Sequence, residues 1–151
     1  MRIVDGNLLD ADVNCIIHQT NCQGIMGGGV AKEVRARYPK VYEQYKDLCS
    51  RSNPKALMGT CQFINIGEEK YLVNLFGQNG INPAWYLGGQ VTNYDAICHG
   101  AEEIRDFMDS HNLTTAAVPY KMGAVRGGGK WEIIDQILTE ILGDKVVAYK
   151  L

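Results

Sequence analysis

The chain has few of the residues that announce ready-made chemistry. Its 151 residues include only three histidines, three phenylalanines, two tryptophans and four prolines. The five cysteines (Cys15, Cys22, Cys49, Cys61 and Cys98) are odd in number and widely spaced. With no CxxC or Cys/His pattern among them, they form no zinc motif. Four sit in or beside apolar stretches, where a reduced cysteine behaves as a small hydrophobe. Cys22 lies instead in a glycine-rich loop, and nothing beside it marks a nucleophile. Charge of one sign is also missing: 15 Lys/Arg against 17 Asp/Glu leave a net charge of −2, interleaved along the chain. No broad basic footprint is available for a nucleic-acid backbone, so no stable nucleic-acid complex is expected. A bound anion must be held by local geometry. No apolar run approaches the ~20 residues of a membrane span, and Met1 to Gly6 do not form a signal peptide. A cytoplasmic protein without a membrane partner is the expectation, and no motif calls for a cofactor or metal.

What is present is the make-up of one globular domain over residues 1–151, 46% hydrophobic and 21% charged, with length enough for one core. There is no internal repeat, low-complexity tract or linker. Short apolar, β-branched runs predict strands at Arg2–Val4, Asn14–Gln19, Thr60–Ile66, Tyr71–Phe76, Thr114–Val118 and Val146–Leu151. Several lack alternation, as strands buried on both faces do. Helical spacing predicts helices at Gly29–Arg37, Pro39–Cys49, Gly89–His111 and Lys130–Leu142. In the last, Trp131, Ile134, Ile137, Leu138 and Ile141 share one face. Strands alternating with helices imply an α/β fold, a three-layer α/β/α sandwich around a mixed, mostly parallel sheet. Ligands of such sheets sit at the carboxyl ends of the strands, which directs attention to the loops that follow them.

Three loops stand out. The first, Asn21 to Ala31, leaves a buried strand, carries Gly27, Gly28 and Gly29, and opens a helix. Consecutive glycines let backbone approach a ligand, and a helix start offers free N–H groups to an anion such as a diphosphate. It is neither a Walker A loop nor a GxGxxG turn. The second, Pro119 to Trp131, makes the same passage and contains Gly123, Gly127, Gly128 and Gly129. Two such loops can clasp a diphosphate from both sides. The third, Asn74 to Gly80, offers Phe76 to a sugar and Gln78 and Asn79 as polar groups; a simple turn explains it equally well. His18 stands near the carboxyl end of its strand, three residues before Asn21. A histidine inside a strand is usually a core residue, but this position favours a catalytic role. His99 and His111 read as helix-surface residues.

These motifs, in this order, resemble the macrodomain family. They are Gly6-Asn7-Leu8-Leu9, Ile16-Ile17-His18-Gln19-Thr20-Asn21, Gly27-Gly28-Gly29-Val30-Ala31 and the Gly123–Gly129 loop before Trp131. Within it the chain is most similar to the yeast-type ADP-ribose 1″-phosphate phosphatases. The shared features are His18 before the Asn21-Cys22 loop, Met26 before three glycines, Arg37-Tyr38-Pro39-Lys40 and the C-terminal Tyr149-Lys150-Leu151. The resemblance to terminal ADP-ribose protein glycohydrolases and to DNA ADP-ribosyl glycohydrolase antitoxins is more distant. It implies a cleft for ADP-ribose or a derivative as ligand or substrate. Asn7 would accept from the adenine amino group and Leu8 would offer its backbone N–H to the ring, with Tyr149 as an aromatic wall. Asn21 would bond the distal ribose. Gly27, Gly28, Gly29 and Val30 would bind that ribose and one phosphate, and Gly123, Ala124, Val125, Arg126 and Gly127 the other. Arg126, turned inward, would steady a terminal phosphate; otherwise it is a solvent-exposed loop arginine. The related glycohydrolases use a Lys in the third loop, where this chain has Leu75, Phe76, Gly77 and Gln78. They also use an Asp in the second glycine loop, where it has Val125, Arg126 and Gly127. A Lys-adduct mechanism is therefore not expected. The resemblance implies a hydrolase removing a terminal group, first ADP-ribose 1″-phosphate dephosphorylation, with His18 as general acid or base. The alternatives are a non-catalytic ADP-ribose-binding module and a de-ADP-ribosylating glycohydrolase.

Overall fold

A computed structural model describes residues 1–151. Six strands form one sheet: β1 (Ile3–Asp5), β2 (Cys15–Asn21), β3 (Cys61–Gly67), β4 (Lys70–Gln78), β5 (Ala116–Pro119) and β6 (Val146–Lys150). Their order is β1-β6-β5-β2-β4-β3. Every pair is parallel except β3 with β4, which is antiparallel because only Glu68 and Glu69 separate the two strands. Five helices complete the chain: α1 (Gly29–Arg37), α2 (Pro39–Arg51), the short α3 (Pro54–Leu57), α4 (Tyr94–Ser110) and α5 (Trp131–Leu142).

The sheet separates two cores, and the alternation of β2 shows how. Cys15 and Ile17 face α4 and α5, packing with Ile97, Ile104, Ile134 and Leu138. Ile16 and Cys22 face α1 and α2, packing with Val34, Val41, Tyr45 and Phe76. Both faces of the central strands are covered, so β2 and β4 are apolar without alternation over most of their length. No helix is long and apolar enough to cross a membrane.

The predicted elements are close to the observed ones, with one instructive difference. The helix expected from Gly89 begins only at Tyr94. Gly88 and Gly89 take φ of 93° and 92°, in the left-handed region that cannot continue a helix. Asn93 then caps the helix, its side chain accepting from Ala96 N. A loop therefore runs from the end of β4 to Asn93, holding one short turn at Trp85–Leu87, and it passes beside the carboxyl ends of the central strands.

Candidate functional site

At the carboxyl ends of β2, β4 and β5 lies a cleft of about 500 Å³, within the range of small-molecule sites. The first glycine loop forms one wall, from Asn21 to Ala31. The second forms the opposite wall, from Pro119 to Gly127. Gln78, Ile81, Asn82 and Pro83 close one end. Of the residues expected to bind ligand, the structure brings Asn21, Gly27, Gly28, Gly29, Val30, Gln78, Gly123, Val125, Arg126 and Gly127 into this lining. His18 borders it as well.

The first loop is tied down from below. Asn21 Oδ1 accepts from Gln23 N at 3.0 Å and its Nδ2 donates to Ile25 O at 2.8 Å. Tyr45 of α2, fully buried, sets its hydroxyl 2.6 Å from the same Oδ1 and 2.8 Å from the Asn21 carbonyl. The loop is thus held in shape before any ligand arrives. Gly28 precedes α1 in extended backbone, and no side chain caps that helix. Its first N–H groups, at Gly29, Val30 and Ala31, border the cleft without a capping partner, which is a favourable setting for an anion.

The second loop rests on a polar hub that the sequence did not single out. Gln19, one residue after His18, points to the α4 side, where its Nε2 donates to Gln78 Oε1 at 2.7 Å and to Thr92 Oγ1 at 2.8 Å. Thr92 Oγ1 in turn donates to Gly123 O at 2.8 Å. The amide occupies space left by two glycines: a Cβ on Gly77 or on Gly123 would come within 2.7 Å of Gln19 Oε1. One side chain so joins the ends of β2 and β4, the start of α4 and the second glycine loop. Its signal in the sequence is a polar residue placed where a buried strand meets a ligand loop.

His18 has the opposite fate. It faces α1 and α2, is 1% exposed, and its Nε2 lies 2.5 Å from Asn74 Oδ1 on the paired strand. Asn74 Nδ2 donates to Gln62 Oε1, so the oxygen of Asn74 is turned to His18 and the His18 proton sits on Nε2. The other nitrogen, Nδ1, is buried without a partner. Burial pulls the pKa down to about 4, with the Asn74 bond opposing only in part. The imidazole is therefore neutral near pH 7. The expectation of a general acid at this position is corrected: the one N–H of the neutral ring, on Nε2, is committed to Asn74, and Nδ1 carries no proton to give a leaving group. Its Nδ1 lone pair is what it can still offer.

Other expectations are corrected in the same way. Phe76 does not face a sugar; it is fully buried on the α2 side with its ring 5.9 Å from that of Tyr45. Alternation along β4 puts it on the same face as Asn74. Gly77 is a packing position, where a Cβ would meet Gln19 and Ile97 rather than a ligand. Ala124 packs toward the α4–α5 core instead of lining the cleft. Asn7, Leu8 and Tyr149 stand apart from these: they are outside the lining but cluster together where β1 meets β6. There Asn7 Oδ1 accepts from Leu9 N, Leu8 is buried, and the Tyr149 ring stands beside Gly6. Cys22 is buried, donates to Gln78 O, and has its thiol pushed up to about 11 by burial first and by Cys49 second.

The cleft is electrically unlike the chain as a whole. Lys121 and Arg126 line it and no carboxylate does, although the chain carries a net charge of −2. Lys121 adopts φ 63°, uncommon for a residue with a side chain and frequent at functional loops. Ile25, Ile81 and Val125, each about half exposed, form an apolar rim around these cations. The site is thus a cationic slot with an apolar mouth.

A profile of the Macro domain matches residues 17–138. The chain is similar to a DNA ADP-ribosyl glycohydrolase of Mycobacterium tuberculosis, 27% identical over 137 residues, which is 89% of this chain and 36% of that protein. It is also similar to an ADP-ribose 1″-phosphate phosphatase of Candida glabrata, 40% identical over 66 residues, 42% of this chain and 36% of that protein. The chain thus spans little more than a third of the length of these curated relatives. A solved structure of a protein of unknown function from Bacteroides thetaiotaomicron superposes with a TM-score of 0.83 at 28% identity, covering 99% of this chain and 97% of that one.

Proposed function

This chain belongs to the Macro domain family, and from that premise we propose that its cleft binds ADP-ribose and that the protein hydrolyses a terminal group from an ADP-ribose derivative. The first candidate is ADP-ribose 1″-phosphate. The carrying observation is the cleft itself, two glycine loops facing each other with uncapped helix N–H groups, two cations and no carboxylate. That arrangement suits a diphosphate joined to sugars. In this reading the diphosphate lies between the Gly27–Val30 and Gly123–Gly127 segments. Asn21 bonds the distal ribose by reorienting its amide. The adenine lies beyond the cleft proper, near Asn7, Leu8 and Tyr149. Relatives of both named activities match this chain, which supports a hydrolase.

For the phosphate ester, water adds to phosphorus and the bond from phosphorus to the ribose oxygen breaks. That oxygen takes up the proton the water gives up, leaving ADP-ribose and inorganic phosphate. In this proposal His18, neutral with Nε2–H committed to Asn74, takes that proton from the water at Nδ1 and passes it to the leaving oxygen, ending neutral again. Arg126 steadies the terminal phosphate. The test is phosphate release from ADP-ribose 1″-phosphate by the wild type and by His18→Ala. An inert wild type rejects the phosphatase reading, and unchanged turnover in the variant removes His18 from the chemistry.

One observation favours a second reading, a binding module without chemistry: the only histidine beside the cleft is buried. Calorimetry showing tight ADP-ribose binding, together with inertness toward phosphorylated, acylated and nucleic-acid-linked forms, would select it.

A further inference from the structure

Arg126 extends from the second glycine loop across the mouth of the cleft and lies on the first. A Cβ on Gly28 would meet its Nη1 at 2.6 Å and its Cζ at 2.7 Å. On its other side the guanidinium carbon stands 5.5 Å from the centre of the Trp85 ring. Trp85 belongs to the loop between β4 and α4, which is tied to the second glycine loop through Val91 N and Thr92 N, both donating to Gly127 O. Three loops far apart in the chain therefore meet at one guanidinium.

Arg126 makes no ion pair in this structure; the five salt bridges involve other residues. It sits instead at the start of α1, beside N–H groups no side chain caps. A cation beside the positive end of a helix is unfavourable by itself. An anion between the two would satisfy both. The aromatic face of Trp85 holds the guanidinium there, while Gly28, having no side chain, leaves it room.

We propose that Trp85 is a positioning residue, acting through Arg126 to make the cleft prefer ligands that carry an anionic group on the distal ribose. The inference rests on ADP-ribose occupying this cleft. Trp85 itself stays outside the lining and supplies the ring that keeps the arm over Gly28. Ligands ending in a neutral hydroxyl offer this arm the diphosphate alone; those ending in phosphate add a second anion.

The experiment measures competition of ADP-ribose and ADP-ribose 1″-phosphate against a fluorescent ADP-ribose analogue, in stopped flow before turnover. It compares wild type, Trp85→Ala, Trp85→Phe, Arg126→Ala and Gly28→Ala. The wild type is expected to prefer the phosphorylated ligand. Arg126→Ala should lower that preference on the order of 10-fold or more, the range of a charge-assisted hydrogen bond. Trp85→Ala should lower it roughly 2- to 5-fold, with a smaller loss for ADP-ribose than for the phosphorylated ligand, and Trp85→Phe should restore part of the loss. Gly28→Ala, whose backbone at φ −157° accepts any residue, should displace the arm and lower the preference. In a Trp131→Phe background Trp85 is the sole indole, and its emission should respond to the phosphorylated ligand more than to ADP-ribose.

An equal preference in Trp85→Ala and wild type, or equal loss for both ligands, overturns the positioning role. Failure of the wild type to bind ADP-ribose at all overturns the cleft assignment instead, so the two failures are distinct.

Discussion

His18 and Gln19 are consecutive residues of one strand, and the sheet sends them into different lives. His18 enters the α1–α2 layer with Asn74 and Phe76, where a buried amide occupies one nitrogen and no exposed atom reaches solvent. Gln19 enters the α4 side, where its amide ties together the loops that form the cleft. Both are polar side chains at the same end of the sheet, His18 buried and Gln19 half-buried. One face closes on itself, and the other couples the scaffold to the ligand walls. Burial near a site is thus not one property; what matters is whether the hydrogen-bond chain ends in the core or in a loop.

That contrast can be broken by substitution on each face. Phe76→Ala, on the His18 face, should cost about 3–5 kcal/mol in a urea melt because it empties a fully buried aromatic site. If it instead left stability intact and weakened ligand binding, Phe76 would belong to the cleft and the distinction between faces would collapse.

The His18 face should also be acid-sensitive. The folded pKa of about 4 lies below the ordinary 6.5, so the unfolded chain takes up a proton first as pH falls. The neutral imidazole's stability is fully present above pH 6.5. It declines through the interval and levels off below about 4, amounting to roughly 3 kcal/mol. The unfolding free-energy difference between wild type and His18→Gln should therefore shift by about that amount between pH 7 and 4. A difference independent of pH would show that His18 is not buried in solution.

On the other face the effect should appear in binding more than in stability. Gln19→Leu removes two donated hydrogen bonds and should cost about 1–3 kcal/mol of stability. Its affinity for ADP-ribose, measured by calorimetry on the folded protein, should fall because the second glycine loop loses its support. A variant of unchanged affinity would reduce Gln19 to a structural residue without a part in shaping the cleft. The smallest stability effect belongs to Arg126→Ala, an exposed residue, expected within about 0.5 kcal/mol of wild type. A larger loss would mean that the arm across Gly28 braces the fold instead of serving the cleft.

Much of this was legible beforehand, and the reasons are local. Apolar runs at Asn14–Gln19 and Tyr71–Phe76 predicted β2 and β4, because a strand covered on both faces has little choice but to be apolar. The glycines at 27–29 and 123–129 predicted ligand loops, because a strand-to-helix turn without side chains leaves room at the cleft. The helix starting at Gly89 was misplaced because periodicity does not report the backbone angles of Gly88 and Gly89. Phe76 was misassigned since position in a loop-adjacent strand does not say which face a ring takes.

The sequence by itself determined the α/β class, the order of the elements, the two glycine loops and, through its motifs, the family. These follow from short-range pattern, residue type and spacing. Only the tertiary structure decided that His18 turns inward while Gln19 becomes the hub, because facing depends on which helix covers each side of β2. It alone decided that Arg126 rests on Gly28 under Trp85. That contact joins segments nearly a hundred residues apart, and a chain's pattern does not record which loops the sheet will bring together.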